Sequence, residues 1–161
     1  MNLAYLQLGS NLGDRLELIS NAVKCIKENV GTLLSFSKIY LSTPWRVEDQ
    51  QSYLNQIIEI ETNLSAEDLL ISVLKIEKDL GRVRIEKWGE RLIDIDIIFF
   101  NDEIIETPNL CIPHKHMHER NFVLIPLNEI IPFYIHPKYN KTVSALLEQS
   151  KDSEKVIEYV V

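Results

Sequence analysis

The chain has 161 residues, of which 45% are hydrophobic and 25% charged, so disordered, collagen-like and membrane-embedded classes are excluded and one domain over residues 1–161 is expected. Seventeen basic residues against 24 acidic ones give a net charge of −7, which argues against general nucleic-acid binding because phosphate backbones reward a basic face. No uncharged run reaches the roughly 18 residues of a membrane span, and Cys25 and Cys111 form neither a secreted framework nor a zinc knuckle. A soluble, untargeted protein in a reducing cytoplasm is the expectation, with no membrane partner.

In chain order, residues 3–8 alternate and run into the turn-rich Gly9-Ser10-Asn11-Leu12-Gly13, which predicts a strand and a loop. Asp14 then caps a helix whose Leu16, Ile19, Val23, Ile26 and Val30 recur at helical spacing until Gly31. Residues 33–41 and 54–61 read as two neighbouring strands, joined by a loop centred on Pro44. Ser65 opens a second helix, with Leu69, Val73, Ile76 and Leu80 facing inward and Gly81 as its stop. A polar stretch from Arg82 to Arg91 precedes a strand over 93–100.

This order is the β-α-β-β-α-β of a ferredoxin-like α+β fold, with helices packed on one face of an antiparallel sheet. Asn101-Asp102 reads as a two-residue hairpin turn into residues 103–106. C-terminal additions follow: a helix near 143–149 and a last strand over 155–161.

Chemistry concentrates at Asp94 and Asp96, which interrupt the apolar strand Ile93-Asp94-Ile95-Asp96-Ile97-Ile98. Period 2 places both on one face, with Cα atoms about 7 Å apart, within reach of shared hard cations; an ordinary solvated face is the alternative. Just upstream, Arg82, Arg84, Lys87 and Arg91 gather in an otherwise acidic chain. Arginine forks match phosphate oxygens, so acids and arginines together suggest Mg²⁺ and a phosphate; a solvated, self-paired loop is the alternative. Trp88-Gly89 in that loop suggests a flap that closes over a ligand. His114, His116 and His118 at alternate positions leave a zinc site, a plain surface loop and a phosphate-binding cluster with Arg120 all open. No P-loop, Gly-x-Gly-x-x-Gly or Gly-x-Ser-x-Gly is present.

Five blocks in order carry a resemblance: Gly9 to Gly13; Asp49-Gln50-x-x-Tyr53-Leu54-Asn55; Gly81-Arg82-x-Arg84; Trp88-Gly89-x-Arg91-x-x-Asp94-x-Asp96; and Pro113-His114 followed by Arg120-x-Phe122. Together they resemble the 6-hydroxymethyl-7,8-dihydropterin pyrophosphokinase family over residues 3 to about 135. The resemblance implies transfer of a pyrophosphoryl group from ATP, a co-substrate, to the pterin hydroxymethyl oxygen, releasing AMP in folate biosynthesis. Two Mg²⁺ ions on Asp94 and Asp96 are implied, with Arg82 and Arg91 neutralising charge during transfer. For the nucleotide it implies Glu77, Arg84, Trp88, Ile97, His114, Lys115 and Arg120. For the pterin it implies stacking between Tyr53 and Phe122, pairing with Asn55, and contacts from Ser42, Thr43, Pro44 and Trp45. Leu74, Asn109, Lys115 and Arg46 depart from the family pattern at positions around these contacts. The rivals are a non-catalytic ferredoxin-like pterin or nucleotide-binding module and a nucleotidyl transferase that releases pyrophosphate. A monomer is expected.

Overall fold

The computed structural model describes residues 1–43, 52–81 and 92–160. Strand β1 (Asn2–Ser10) lies between β4 (Tyr53–Thr62) and β5 (Asp94–Phe100), antiparallel to both. Two short strands, β2 (Thr32–Phe36) and β3 (Tyr40–Ser42), both pair with β4, and β8 (Val156–Glu158) adds to β3, giving the order β5-β1-β4-β3-β8 with β2 beside β4. Helices α1 (Arg15–Asn29) and α2 (Ala66–Leu80) supply the crossovers of the expected ferredoxin-like α+β core.

Both helices begin as the sequence predicts. Asp14 accepts a hydrogen bond from the Glu17 N–H at 3.1 Å, and Ser65 accepts one from the Asp68 N–H at 3.1 Å, each satisfying one orphan donor of a first turn. Ile19, Ala22 and Ile26 of α1 and Leu69, Val73 and Ile76 of α2 bury against Ala4, Leu6 and Leu8 of β1. Each fully buried Leu or Ile contributes about 1.5–3 kcal/mol of transfer free energy, so this layer is the main thermodynamic anchor of the sheet. At Gly31 the chain passes so near β4 that a Cβ would lie 2.3 Å from the Glu61 carbonyl oxygen. Only glycine fits there.

The second face of the sheet is also covered, whereas the sequence predicts helices on one face only. Helix α3 (Asn121–Ile130), the short α4 (Val143–Gln149) and a 3₁₀ turn (Met117–Glu119) bury Tyr5, Ile57, Ile98 and Phe99 beneath Val123, Leu124, Leu127, Val143 and Leu146. A register shift in the β1–β5 ladder lets Ile98 and Phe99 both enter this second core. Upstream of the shift, Asp94 and Asp96 share that face at positions opposite Gly9 and Gln7.

Three expectations change. The single strand over 33–41 is two strands, because Ser37 joins the β4 ladder through its side chain: its Oγ accepts from the Ile57 N–H at 3.0 Å while its own N–H donates to the Ile57 carbonyl at 2.8 Å. Residues 103–106 do not form a hairpin with β5; β6 (Ile105–Glu106) pairs instead with β7 (Cys111–Ile112). A type I′ turn needs positive φ at both central residues, and among the described non-glycine residues of this turn only Asn101, at φ 50°, has it. The last strand is the shorter β8 within the expected span.

Candidate active site

A cavity of about 220 Å³ opens on the second face, past the end of the α3 layer, and is lined by Gly9, Tyr53, Asn55, Asp94, Asp96, Arg120, Phe122 and Glu154 among others. Its floor is the sheet itself. Asp94 and Asp96 come from β5, Gln7 and Gly9 from β1, Tyr53 and Asn55 from β4, and Ser42 from β3. Period 2 along four registered strands therefore delivers carboxylates at one side and amide, hydroxyl and ring groups further across.

Asn55, buried at 2% exposure, is the hub of this floor. Its Nδ2 donates to Ser42 Oγ at 2.8 Å and to the Tyr40 carbonyl at 3.3 Å, while its Oδ1 accepts from Gln7 Nε2 at 3.2 Å. Both N–H groups are thus engaged inside the protein, and the amide has an acceptor lone pair left to offer. Gln7 escaped the sequence reading, although a glutamine at an inward position of a buried strand was the available signal. Its Oε1 is buried with no hydrogen-bond partner among the described residues.

The walls come from outside the sheet. Arg120 and Phe122 stand at the start of α3, with the guanidinium carbon 4.6 Å from the ring centroid, a cation–π contact that holds the two together. His114 is not among the residues lining this cavity; it sits half-buried after β7, its N–H donating to the Ile98 carbonyl at 3.0 Å. Burial pushes its imidazole below the ordinary value; the Asp96 carboxylate acts in the opposite direction, and His116 and Arg120 lower it further. His116 turns away towards Glu119, at 3.8 Å, and His118 packs against Tyr139, so the three alternate histidines diverge. Among the described residues, no group of three or more His, Cys, Asp or Glu side chains gathers as a metal site.

Glu77 on α2 accepts from the Ile95 N–H at 3.0 Å, so it meets β5 from the other side of the carboxylate pair. Ile97 points its side chain into the α1/α2 core and can offer a ligand only its main chain. Thr43 and Lys115 are exposed. Arg82, Arg84, Trp88 and Arg91, together with Pro44, Trp45 and Arg46, lie outside the described residues, and so does the expected flap.

The C-terminal segment, which the sequence left unread, reaches this site. Asp152 Oδ2 accepts from the Asn121 N–H at 2.8 Å and its Oδ1 from the Glu154 N–H at 3.0 Å, so one carboxylate ties the segment to the first turn of α3. Glu154 then lines the cavity. Its carboxyl is raised above the ordinary value, first by burial and then by Asp152, with Arg120 opposing.

Comparison with known proteins decides the family. The profile of 7,8-dihydro-6-hydroxymethylpterin-pyrophosphokinase (HPPK) matches residues 5–132. The chain belongs to the HPPK family. It is 41% identical over 141 residues to the 2-amino-4-hydroxy-6-hydroxymethyldihydropteridine pyrophosphokinase of Aquifex aeolicus, covering 88% of each chain. With the Haemophilus influenzae protein of the same name it shares 40% over 154 residues, covering 95% of this chain and 96% of that one. Among solved structures, wild-type Plasmodium falciparum HPPK-DHPS superposes with a TM-score of 0.74 at 17% identity over 92% of this chain, which establishes the shared HPPK fold. The chain spans 44% of that longer protein.

Proposed function

We infer that this HPPK family member transfers the pyrophosphoryl group of ATP to the hydroxymethyl oxygen of 6-hydroxymethyl-7,8-dihydropterin, releasing AMP and the pterin diphosphate used in folate synthesis. The observation that carries the reading is the convergence of Asp94 and Asp96 with Asn55, Tyr53 and Phe122 on one small cavity. An acceptor hydroxyl bound against the rings is thereby brought beside paired carboxylates. Positioning of this kind supplies a large share of catalysis in phosphoryl-group transfer.

Asp94 and Asp96 fit Mg²⁺: both offer hard oxygen donors, and they leave coordination positions for water and phosphate oxygens. They would hold the two ions. When bound, Mg²⁺ neutralises polyphosphate charge and makes the acceptor hydroxyl easier to deprotonate. Around it, Arg120, His114 and Lys115 hold phosphate oxygens, with Arg84, Trp88 and Glu77 and the Ile97 main chain on the nucleotide side. Arg82 and Arg91 stabilise the charge that develops during transfer. Tyr53 and Phe122 sandwich the pterin, Asn55 and Ser42 meet its polar edge, and main-chain groups of Thr43, Pro44 and Trp45 would add hydrogen bonds to it.

The same reading has residues 1–161 act as one domain and as a cytoplasmic monomer. It is supported by the internal use of β8 against β3, the burial of Leu146 beneath the sheet, and cysteines that are both free. No helix among the described residues is long and apolar enough to cross a membrane.

The deciding experiment incubates the protein with ATP, Mg²⁺ and the pterin and separates the nucleotides. Pterin-dependent AMP without free pyrophosphate is expected; ADP or free pyrophosphate overturns the assignment. Asp96→Ala should keep pterin binding and lose turnover by about three orders of magnitude. Near-normal turnover in that variant would refute the carboxylates' role.

A further inference from the structure

We propose that Glu154, on the C-terminal segment, is a pterin-binding residue whose carboxylate accepts the N–H donors at the amino-pyrimidinone end of the substrate. The proposal rests on the pyrophosphokinase reading above and extends the pocket to a part of the chain that none of the sequence motifs reaches. Two anchors fix Glu154 in place. Two residues before it, Asp152 is bonded to the α3 N-terminus beside Arg120 and Phe122. Two residues after it, Val156 pairs with Ser42, itself a lining residue of the cavity.

The strand order then gives the direction. Asp94 and Asp96 stand on β5, and Ser42 stands on β3, three interstrand spacings away or about 14 Å. In the pterin bicycle the C6 hydroxymethyl group and the C2 amino group lie at opposite ends of the long axis. With the hydroxymethyl oxygen beside the paired aspartates, the amino end points across Asn55 towards Ser42 and the segment carrying Glu154.

The chemistry of the cavity agrees. That end of the ligand is rich in donors: the 2-amino group and the ring N–H. Asn55 has spent both N–H groups on Tyr40 and Ser42 and can add only a lone pair. A carboxylate accepts two parallel N–H bonds from an amino-pyrimidinone edge, stronger than neutral contacts because one partner is charged. Glu154 is the one carboxylate lining the cavity, among the described residues, that lies away from β5.

Glu154→Gln keeps size and polarity but replaces one acceptor oxygen with a donor. Affinity for 6-hydroxymethylpterin, read by its fluorescence in the presence of Mg²⁺ and a non-hydrolysable ATP analogue, should fall at least tenfold, with the loss in turnover appearing in the pterin KM more than in the ATP KM. A pterin analogue lacking the 2-amino group should bind the wild-type protein weakly and gain no further penalty in the variant, an outcome that a purely structural role for Glu154 would not produce. Glu154→Ala should show the same loss of discrimination at an unchanged melting temperature. Wild-type affinity and discrimination in Glu154→Gln, or a defect confined to ATP, would overturn the contact while leaving the reaction intact. Absence of pterin-dependent AMP from the wild-type protein would overturn the reaction and the contact together.

Discussion

Replacing Asn55 separates its role as a buried hydrogen-bond hub from its bulk. In Asn55→Ala, Gln7 Nε2 loses its acceptor and Ser42 Oγ and the Tyr40 carbonyl lose a donor, all in a region where Gln7 is 3% exposed. A buried polar group left unpaired costs about 1–3 kcal/mol. The space vacated adjoins the 220 Å³ cavity, however, so water can enter and bond the stranded groups, and the net cost should stay near 1–2 kcal/mol. Asn55→Leu preserves volume but keeps water out, strands Gln7 with neither end of its amide bonded among the described residues, and should cost about 3 kcal/mol. At about 2–4 °C per kcal/mol for a chain of this size, the leucine variant should melt roughly 6–12 °C below wild type and the alanine variant less than 8 °C below it. Thermal unfolding followed by far-ultraviolet circular dichroism measures both. A leucine variant as stable as the alanine one would refute the argument that unmet polar groups, not lost volume, set the cost.

His136 gives the chain an acid-sensitive element. Its Nδ1 accepts N–H bonds from Lys138 and Tyr139, each at 3.1 Å, and burial, reinforced by His118 and Lys138, lowers its pKa to about 4. Between pH 6.5 and 4 the unfolded chain therefore binds a proton that the folded one refuses, so stability falls as pH falls, by about 3 kcal/mol in all. Urea melts of His136→Asn, which retains an acceptor for the two N–H groups, should lose that part of the pH slope; an unchanged slope would exclude His136 as its source. Gly31→Ala drives a Cβ against the Glu61 carbonyl and should cost about 1–3 kcal/mol, seen as a lower urea midpoint at constant slope. A midpoint within error of wild type would mean that β4 gives way freely at that point.

The parts of the fold that the sequence discloses are those decided locally. Asp14 and Ser65 announce their helices because a capping side chain bonds an N–H three residues away, and apolar positions at helical spacing such as Leu69, Val73 and Ile76 mark the face that is buried. Asp94 and Asp96 stand out because two charges on an apolar strand demand an explanation. What stays hidden depends on distant partners. Ser37 breaks a strand only because β4 lies beside it, and α3 accommodates Pro126 in its interior because Val123, Leu124 and Leu127 bury against the sheet. Glu154 belongs to the cavity through a wrapped C-terminal segment that no local pattern encodes, whereas Gln7 is marked locally as a polar residue on a buried strand and only its neighbours depend on register.

The placement of β1 between strands from two later parts of the chain also sets the tempo of assembly. Gly9 meets Asn55 on one side and Asp94 on the other, and Ser42 meets Val156, so the cavity floor is closed by pairings between residues far apart in the chain. Such non-local contacts are slow to form, since loop-closure entropy is lost before any ladder repays it. A chain still emerging from the ribosome holds the aspartates but not the wall that Glu154 completes, and the cavity takes its full shape only once residues near 156 have joined β3. Nucleotide and acceptor thus meet a finished pocket only after synthesis has passed nearly the whole length of the fold.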